Sequence, residues 1–434
     1  MSKYKRYERY KDSGVDWIGE IPEHWEVKKI KYLANVINVK ASDSYNNKTY
    51  IGLENIESKT GKLLIDDIDE QQVIEGTSNV FEKNDVLFGK LRPYLAKCLI
   101  ADFSGRCTSE LLVLRCKGIL PKYMFFFMLS PKFIDVVNSS TYGTKMPRAN
   151  WDFIGNLKIP LPSQEEQKGI IEYLSKKSNE IDALIEDKEK LIELLQEKRQ
   201  AIITEAVTKG LNPNVRMKDS GIEWIGEIPE HWRLSKIKYE SLINNKTLSE
   251  STDDDYEIDY IDISSVTSIG EIDGVQSLNF KDAPSRARRI LYKGDTIVST
   301  VRTYLKAIAF IENAQSNLIC STGFAVLTPL SKVVPKYLFY LMRSEKYVNE
   351  IVRRSVGVSY PAVNASDIGA LECALPDRDE QMYIVEYLDN CTTQINQLVN
   401  DIQAQIQKLK EYRQSLISEA VTGKIDVRDY VVNN

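Results

Sequence analysis

Apolar positions recur most regularly between Gln164 and Lys209. There Leu174, Ile181, Lys188, Leu195 and Ile202 fall on every seventh residue, and Leu184, Ile185, Leu191 and Ile192 fill in between them. Charged residues flank this stripe, no Pro interrupts it, and Gly169 is its only Gly. A heptad stripe with charged flanks predicts one long helix with a narrow adhesive seam. At 1.5 Å per residue such a helix runs roughly 65 Å, and its seam needs a partner helix. The same chain supplies a candidate. Between Asp379 and Thr422, Leu388, Ile395, Ile402, Leu409 and Leu416 repeat on every seventh residue, with Leu398 beside them.

The two segments also match residue for residue. Glu166-Gln167 aligns with Glu380-Gln381, Glu172-Tyr173-Leu174 with Glu386-Tyr387-Leu388, Arg199-Gln200 with Arg413-Gln414, and Glu205-Ala206-Val207-Thr208 with Glu419-Ala420-Val421-Thr422. Identity at a constant offset argues against two unrelated surface helices. Two-fold pseudo-symmetry would pair the helices antiparallel.

The duplication extends beyond the helices. Asp12–Leu33 (DSGVDWIGEIPEHWEVKKIKYL) recurs as Asp219–Glu240 (DSGIEWIGEIPEHWRLSKIKYE). These copies hold Trp17, Trp25, Trp224 and Trp232 and both histidines, His24 and His231. No acid, Ser or Cys is arranged around either PEHW in sequence, so structural anchoring is the expected role rather than catalysis. The middles diverge but keep landmarks. NDVLFGKLRPYLAK (Asn84–Lys97) faces GDTIVSTVRTYLKA (Gly294–Ala307), and Pro121-Lys122-Tyr123 faces Pro335-Lys336-Tyr337. A Gly-containing polar loop, Ser139–Asn150, faces Arg354–Asn364. Leu161-Pro162 and Leu375-Pro376 stand just ahead of the long helices, as boundaries should.

The pattern predicts an α+β chain of two mixed α/β domains in tandem, each followed by a long helix. The expected divisions are an arm over 1–11, a first domain over 12–163, a helix over 164–210, a second domain over 211–378, a helix over 379–425 and a tail over 426–434. The basic, Tyr-rich arm reads as a frayed terminus, with a nucleic-acid contact as the alternative.

Composition narrows the class. The 434 residues are 43% apolar and 27% charged, ordinary for a globular protein with two or three cores. The polar, basic N-terminus has no apolar signal region, and YMFFFML (Tyr123–Leu129) is far too short for a membrane span. It reads as a buried helix turn, and no membrane partner is expected. A net charge of −5 excludes a polycationic coat but allows a local basic face. Cys98, Cys107, Cys116, Cys320, Cys373 and Cys391 form no CxxC, so buried thiols in a reducing cytoplasm are expected rather than zinc.

No phosphate-cradling GxxxxGK[ST], GxGxxG or amine-holding [ND]PP[FY] motif is present. Acids at Asp377–Glu380 open a helix, where the dipole alone favours them. Asp253-Asp254-Asp255 reads as a solvated loop rather than a cation site. What remains is a basic-aromatic knot in each copy: Lys90, Arg92, Tyr94 and Lys97, against Arg302, Tyr304 and Lys306. Such residues neutralise phosphates, pack on sugars or bases, and read guanine bidentately. The loops carrying Gly143, Thr144 and Lys145, and Gly357, Ser359 and Tyr360, suit close backbone approach to a phosphate or groove, or are ordinary turns.

Taken together, IPEHW at each domain start, LPSQEEQ and LPDRDEQ entering the long helices, and EAVT near each helix end resemble the specificity subunits of type I restriction–modification enzymes, over nearly the whole chain. The resemblance implies two target recognition domains, each reading one half of a bipartite, asymmetric site in double-stranded DNA. It implies paired helices that space the domains and dock two methyltransferase subunits, and restriction/translocase subunits through them. S-adenosylmethionine would belong to the methyltransferase, ATP and Mg to the restriction subunit, and no cofactor or active site to this chain, in a prokaryotic cytoplasm. DNA contact carries by position onto the two knots and the two Gly loops. A methyltransferase-only or fused nuclease–methylase system is an alternative, and a coiled-coil scaffold without DNA binding is a remoter one. Lys188, out of place in the seam, is expected to snorkel outward or to meet a methyltransferase.

Overall fold

The computed structural model describes residues 5–41, 48–64, 78–143 and 145–431. The chain divides into two compact units, one formed by residues 1–189 and 403–434 and the other by residues 190–402. This division differs from the linear order read from the sequence. Each unit combines one α/β domain with part of both long helices, Gln164–Lys209 and Arg378–Val421. The second helix stops at Val421 rather than running on to 425. Gly423 turns the chain there at φ +70°, and an added Cβ would lie 2.3 Å from Pro22 Cδ.

The first unit is built on an antiparallel sheet ordered Ala34–Ile37, Leu111–Cys116, Val86–Gly89, Cys98–Ile100. A three-stranded sheet of Tyr50–Ile51, Gly105–Thr108 and Ser78–Phe81 accompanies it. The helix Pro121–Leu129 covers the larger sheet, and Tyr123 through Leu129 are all buried. In the second unit the matching sheet runs Ser241–Ile243, Phe324–Pro329, Thr296–Ser299, Ile308–Phe310. Its companion sheet gains a strand: Gln276–Asn279, Glu257–Ile261, Leu318–Ser321, Ala287–Ile290. Both companion sheets contain one parallel pair, Tyr50–Ile51 with Gly105–Thr108 and Glu257–Ile261 with Leu318–Ser321.

The repeated motifs are the joints between domain and helix. Trp25 is fully buried, and its Nε1 donates to Glu166 Oε1 at 3.2 Å, while His24 Nε2 lies 2.8 Å from the same oxygen. In the second unit Trp232 and His231 hold Glu380 at the same distances. Burial works to raise the Glu166 carboxyl, but the hydrogen bonds from His24, Trp25 and Ser163 prevail and hold it below the usual carboxylate range. The neighbouring glutamine is a second bolt. Gln167 Nε2 donates to the Pro162 carbonyl and its Oε1 accepts from the Leu120 amide, both at 2.9 Å. Gln381 does the same with Pro376 and Val334. The end of a helix is held by tyrosine: Tyr123 Oη donates to the Val421 carbonyl at 3.0 Å, and Tyr337 Oη to Val207 at 3.4 Å. The PKY and EAVT motifs are therefore two sides of one contact within each unit. The arm is docked rather than frayed over its described residues. Tyr7 is buried edge-on to Trp25 at 5.8 Å, the Arg428 guanidinium caps its ring, and Tyr10–Asp12 pairs with Glu20–Pro22.

Within each unit the two helix segments run antiparallel. In the first, Asp182 meets Arg413 and Lys188 meets Gln405 at 2.6 Å; in the second, Arg199 meets Asn396 at 2.8 Å. Lys188 thus bonds across the pair instead of turning away from it. Leu174, Ile181, Leu388, Ile395, Ile402 and Leu416 are buried, and Leu195, Ile202 and Leu409 are half-buried. Leu184, Leu191 and Leu398 are exposed at 48%, 45% and 50%, contrary to the expected seam. Their neighbours Ile185, Ile192 and Val399 turn inward instead. One residue is a 100° rotation on a helix, so only one of two adjacent apolar residues can sit in a narrow seam.

Candidate nucleic-acid interface

The knots and the Gly loops, far apart in sequence, are brought together in each unit by the same backbone device. The strand Val86–Gly89 leads into a short turn, Pro93–Leu95, entered by Arg92 at φ 50° and left by Ala96 at φ 48°. Its counterpart Thr303–Leu305 is entered by Arg302 at φ 51° and left by Lys306 at φ 56°. Left-handed backbone at four non-glycine residues is a cost that persists only where surrounding contacts impose it. Those contacts come from the Gly loops. The Arg92 amide donates to the Pro147 carbonyl at 2.8 Å, and the Arg302 amide to Pro361 at 2.7 Å. Single-residue bridges then lock each loop as a small hairpin against the knot: Leu91 with Arg148 and Tyr142 with Arg148, matched by Val301 with Ala362 and Val356 with Ala362.

The hairpin geometry requires glycine. Gly143 lies at φ +92° and Gly357 at φ +118°, and a Cβ would come within 3.3 Å of the Met146 carbonyl oxygen and 3.2 Å of that of Tyr360. Large side chains at the tips face solvent: Tyr142 and Met146 in one unit, Val356, Val358 and Tyr360 in the other, with Tyr94 and Tyr304 beside them. Arg92 is exposed. Arg302 is half-buried, its guanidinium stacked 4.5 Å over the Tyr360 ring. Lys90 is half-buried, and Lys145, Ser359 and Lys306 are exposed. Thr144 lies outside the described residues.

Two of the expected positions behave differently. Lys97 is half-buried and turns inward, its Nζ donating to the Leu53 carbonyl at 2.6 Å. Lys97 and Lys306 are also not equivalent. The position matching Lys306 is Ala96, which closes the same left-handed turn, so the cation sits on the turn in one unit only. Arg148 is a residue that sequence reasoning passed over. It forms a two-pronged ion pair with Glu110 at 3.2–3.3 Å and so ties the first hairpin to the strand end. Its counterpart is Ala362, which has no side chain to mark the position, although both residues directly follow the loop proline.

Each unit thus presents one cationic and aromatic surface made from a strand-end turn and a glycine hairpin, on a domain bolted to long antiparallel helices. This arrangement is a tandem pair of α/β modules built on one frame. Among the described residues no group of His, Cys, Asp and Glu could hold a metal ion, and no helix is long and apolar enough to cross a membrane. The family model for the type I restriction modification DNA specificity domain matches residues 22–194 and again 229–408. The type I restriction enzyme MjaVIII specificity subunit of Methanocaldococcus jannaschii is 25% identical over 333 residues, 75% of each chain. The putative MjaX specificity subunit of the same organism is 24% identical over 95% of this chain and 96% of its own. A solved structure described as the basis of complex assembly and conformational transition in the type I R-M system shares the fold. It has a TM-score of 0.68 and 18% identity, covering 92% of this chain and 98% of that one. The chain belongs to the type I restriction–modification specificity family and carries two of its recognition domains.

Proposed function

We propose that each recognition domain reads one half of a bipartite, asymmetric DNA site, with the knot and glycine hairpin as the contacting surface. The observation that carries this reading is the repeated assembly of Arg92 with the Gly143 loop and Arg302 with the Gly357 loop through the same backbone bonds. The frame is shared while the exposed side chains differ, as two readers of different sequence need. Arg and Lys at these positions would neutralise phosphates, and Arg92 reaches solvent free to meet a base edge.

In this reading the paired helices set the half-site spacing, since a rigid spacer turns register into geometry. They also dock two methyltransferase subunits, which bring S-adenosylmethionine and flip the target adenine out of the helix. Restriction subunits using ATP and Mg join through the methyltransferases, and the chain itself supplies no catalytic group. The setting is a prokaryotic cytoplasm. A methylation map of cells expressing this chain with a cognate methyltransferase tests the proposal. The expected result is N6-methyladenine at one gapped, asymmetric motif, with replacement of residues 219–378 altering only one half. A stable complex that leaves no motif would instead favour a scaffold without DNA binding.

A further inference from the structure

The two units differ at one buried place in a way that the shared frame does not require. In the second unit a cavity of about 750 Å³ opens where the α/β domain meets the helix segments. Arg199 and Arg343 line it and are only 9% and 7% exposed. Each has one side-chain hydrogen bond, and neither acceptor is charged. Arg199 Nη1 donates to Asn396 Oδ1 at 2.8 Å, and Arg343 Nη2 to the Ser268 carbonyl at 3.1 Å. A guanidinium carries five N–H donors, so most of this capacity is uncommitted. Glu271 also lines the cavity; it is solvent-exposed and forms no ion pair with either arginine, although its charge acts favourably on both through space. Lys336, a third cation in the wall, is already neutralised by Asp389 at 3.0 Å and Glu312 at 3.4 Å.

The first unit sets the matching arginine directly against a carboxylate, which Lys62 also meets at 3.0 Å. Arg413, the counterpart of Arg199, is buried and ion-paired to Asp182 at 2.5 Å. The position of Asp182 is held by Asn396 in the second unit, and the position of Arg343 is held by the buried Leu129 in the first. Relative to the first unit, the second therefore lacks one half-buried carboxylate and has one more buried guanidinium. A buried charge without a direct ionic partner is costly, and here two guanidinium groups sit close enough to repel, with only the exposed Glu271 acting on them from a distance. Burial and then Arg199 push the Arg343 guanidinium down to about 10. Apolar and aromatic groups, Ile203, Ile272, Phe310 and Phe339, complete the walls.

We propose that this cavity binds a small organic anion, with one or two phosphate or carboxylate groups between Arg199 and Arg343 and a ring-bearing or apolar body against Phe310 and Phe339. The ligand supplies the negative charge that Asp182 supplies in the first unit. The site is separate from the knot and hairpin surface and does not depend on DNA reading.

Calorimetric titration of the full chain with AMP, pyrophosphate and citrate, at constant ionic strength, tests the site. Saturable binding of at least one probe is expected, and comparison of the three separates a phosphate from a carboxylate preference. Asn396→Asp restores the carboxylate of the first unit. It should keep or raise the melting temperature while weakening binding at least tenfold. Arg343→Leu, which copies the first unit, should weaken binding equally. Failure of all three probes to saturate would overturn the proposal, as would unchanged affinity in a folded Asn396→Asp chain.

Discussion

Replacing Gln167 by Met removes one bolt between domain and helix while keeping side-chain length. Gln167 is 1% exposed and spends both ends of its amide, on the Pro162 carbonyl and the Leu120 amide. Its loss leaves one buried acceptor and one part-buried donor, each worth about 1–3 kcal/mol when stranded. Burying the thioether returns about 1 kcal/mol, so the net cost is about 1–5 kcal/mol. Leu120 leads directly into Pro121–Leu129, so local opening of that helix should speed up roughly fivefold to a few thousand-fold, at about 1.4 kcal/mol per decade. Hydrogen exchange read by mass spectrometry resolves this, because Pro335–Arg343 in the second unit is an internal control with its own Gln381. Gln381→Met should reverse the pattern. Less than a threefold change, or equal acceleration in both helices, would refute the assignment of Gln167 as a local bolt.

Gly357→Val places a β-branched residue at φ +118° with its Cβ 3.2 Å from the Tyr360 carbonyl oxygen. The expected cost is about 1–3 kcal/mol confined to the hairpin. Methylation mapping should then show relaxed choice in one half of the motif, while the melting transition of the second unit stays in place. The Glu166 carboxyl is held low in the folded state, so its contribution is fully present above the unfolded value of about 4.3 and is lost as pH falls through the folded value. Acid unfolding of Glu166→Gln should accordingly be less steep below about pH 4, and an unchanged slope would show that the His24 and Trp25 bonds do not stabilise the charged form. Leu191 and Leu194 are exposed on the central helix at 45% and 49%. Leu191→Glu should leave melting unchanged yet reduce co-purification of the methyltransferase, if that helix face is where the methyltransferase docks.

The repeat, the helices and the joints were legible because they depend on local identity. IPEHW, LPxxxEQ, PKY and EAVT recur, and each proves to touch another of the set: Trp25 with Glu166, and Tyr123 with Val421. The pairing direction followed from the pseudo-symmetry of those repeats. The inward face of the seam was less legible, because Leu184-Ile185 and Leu191-Ile192 offer two apolar candidates per turn and composition cannot choose between them. Exposure decides for the isoleucines. The knot was visible as a cluster, but Lys97 was not distinguishable from a surface lysine until Leu53, distant in sequence, was placed beside its Nζ. Arg148 stayed hidden because Glu110, its partner, has no counterpart acid in the second copy, where Gly323 stands.

The two copies stabilise one hairpin geometry by different side-chain means, and this bears on how such a frame can vary. In the first unit an ion pair between Arg148 and Glu110 fixes the hairpin, leaving Arg92 free toward solvent. In the second, Arg302 itself stacks on Tyr360, so the knot cation and the hairpin aromatic are preorganised together. The backbone bonds from Arg92 to Pro147 and from Arg302 to Pro361 are unaffected by either choice, since amides and carbonyls carry them. Side chains at the surface can therefore change without disturbing the turn that presents them, while Trp, Glu and Gln at the helix joints cannot change without loosening the joint they close. The division between a shared backbone bolt and a free side-chain surface lets one fold be used twice in one chain with two different surfaces.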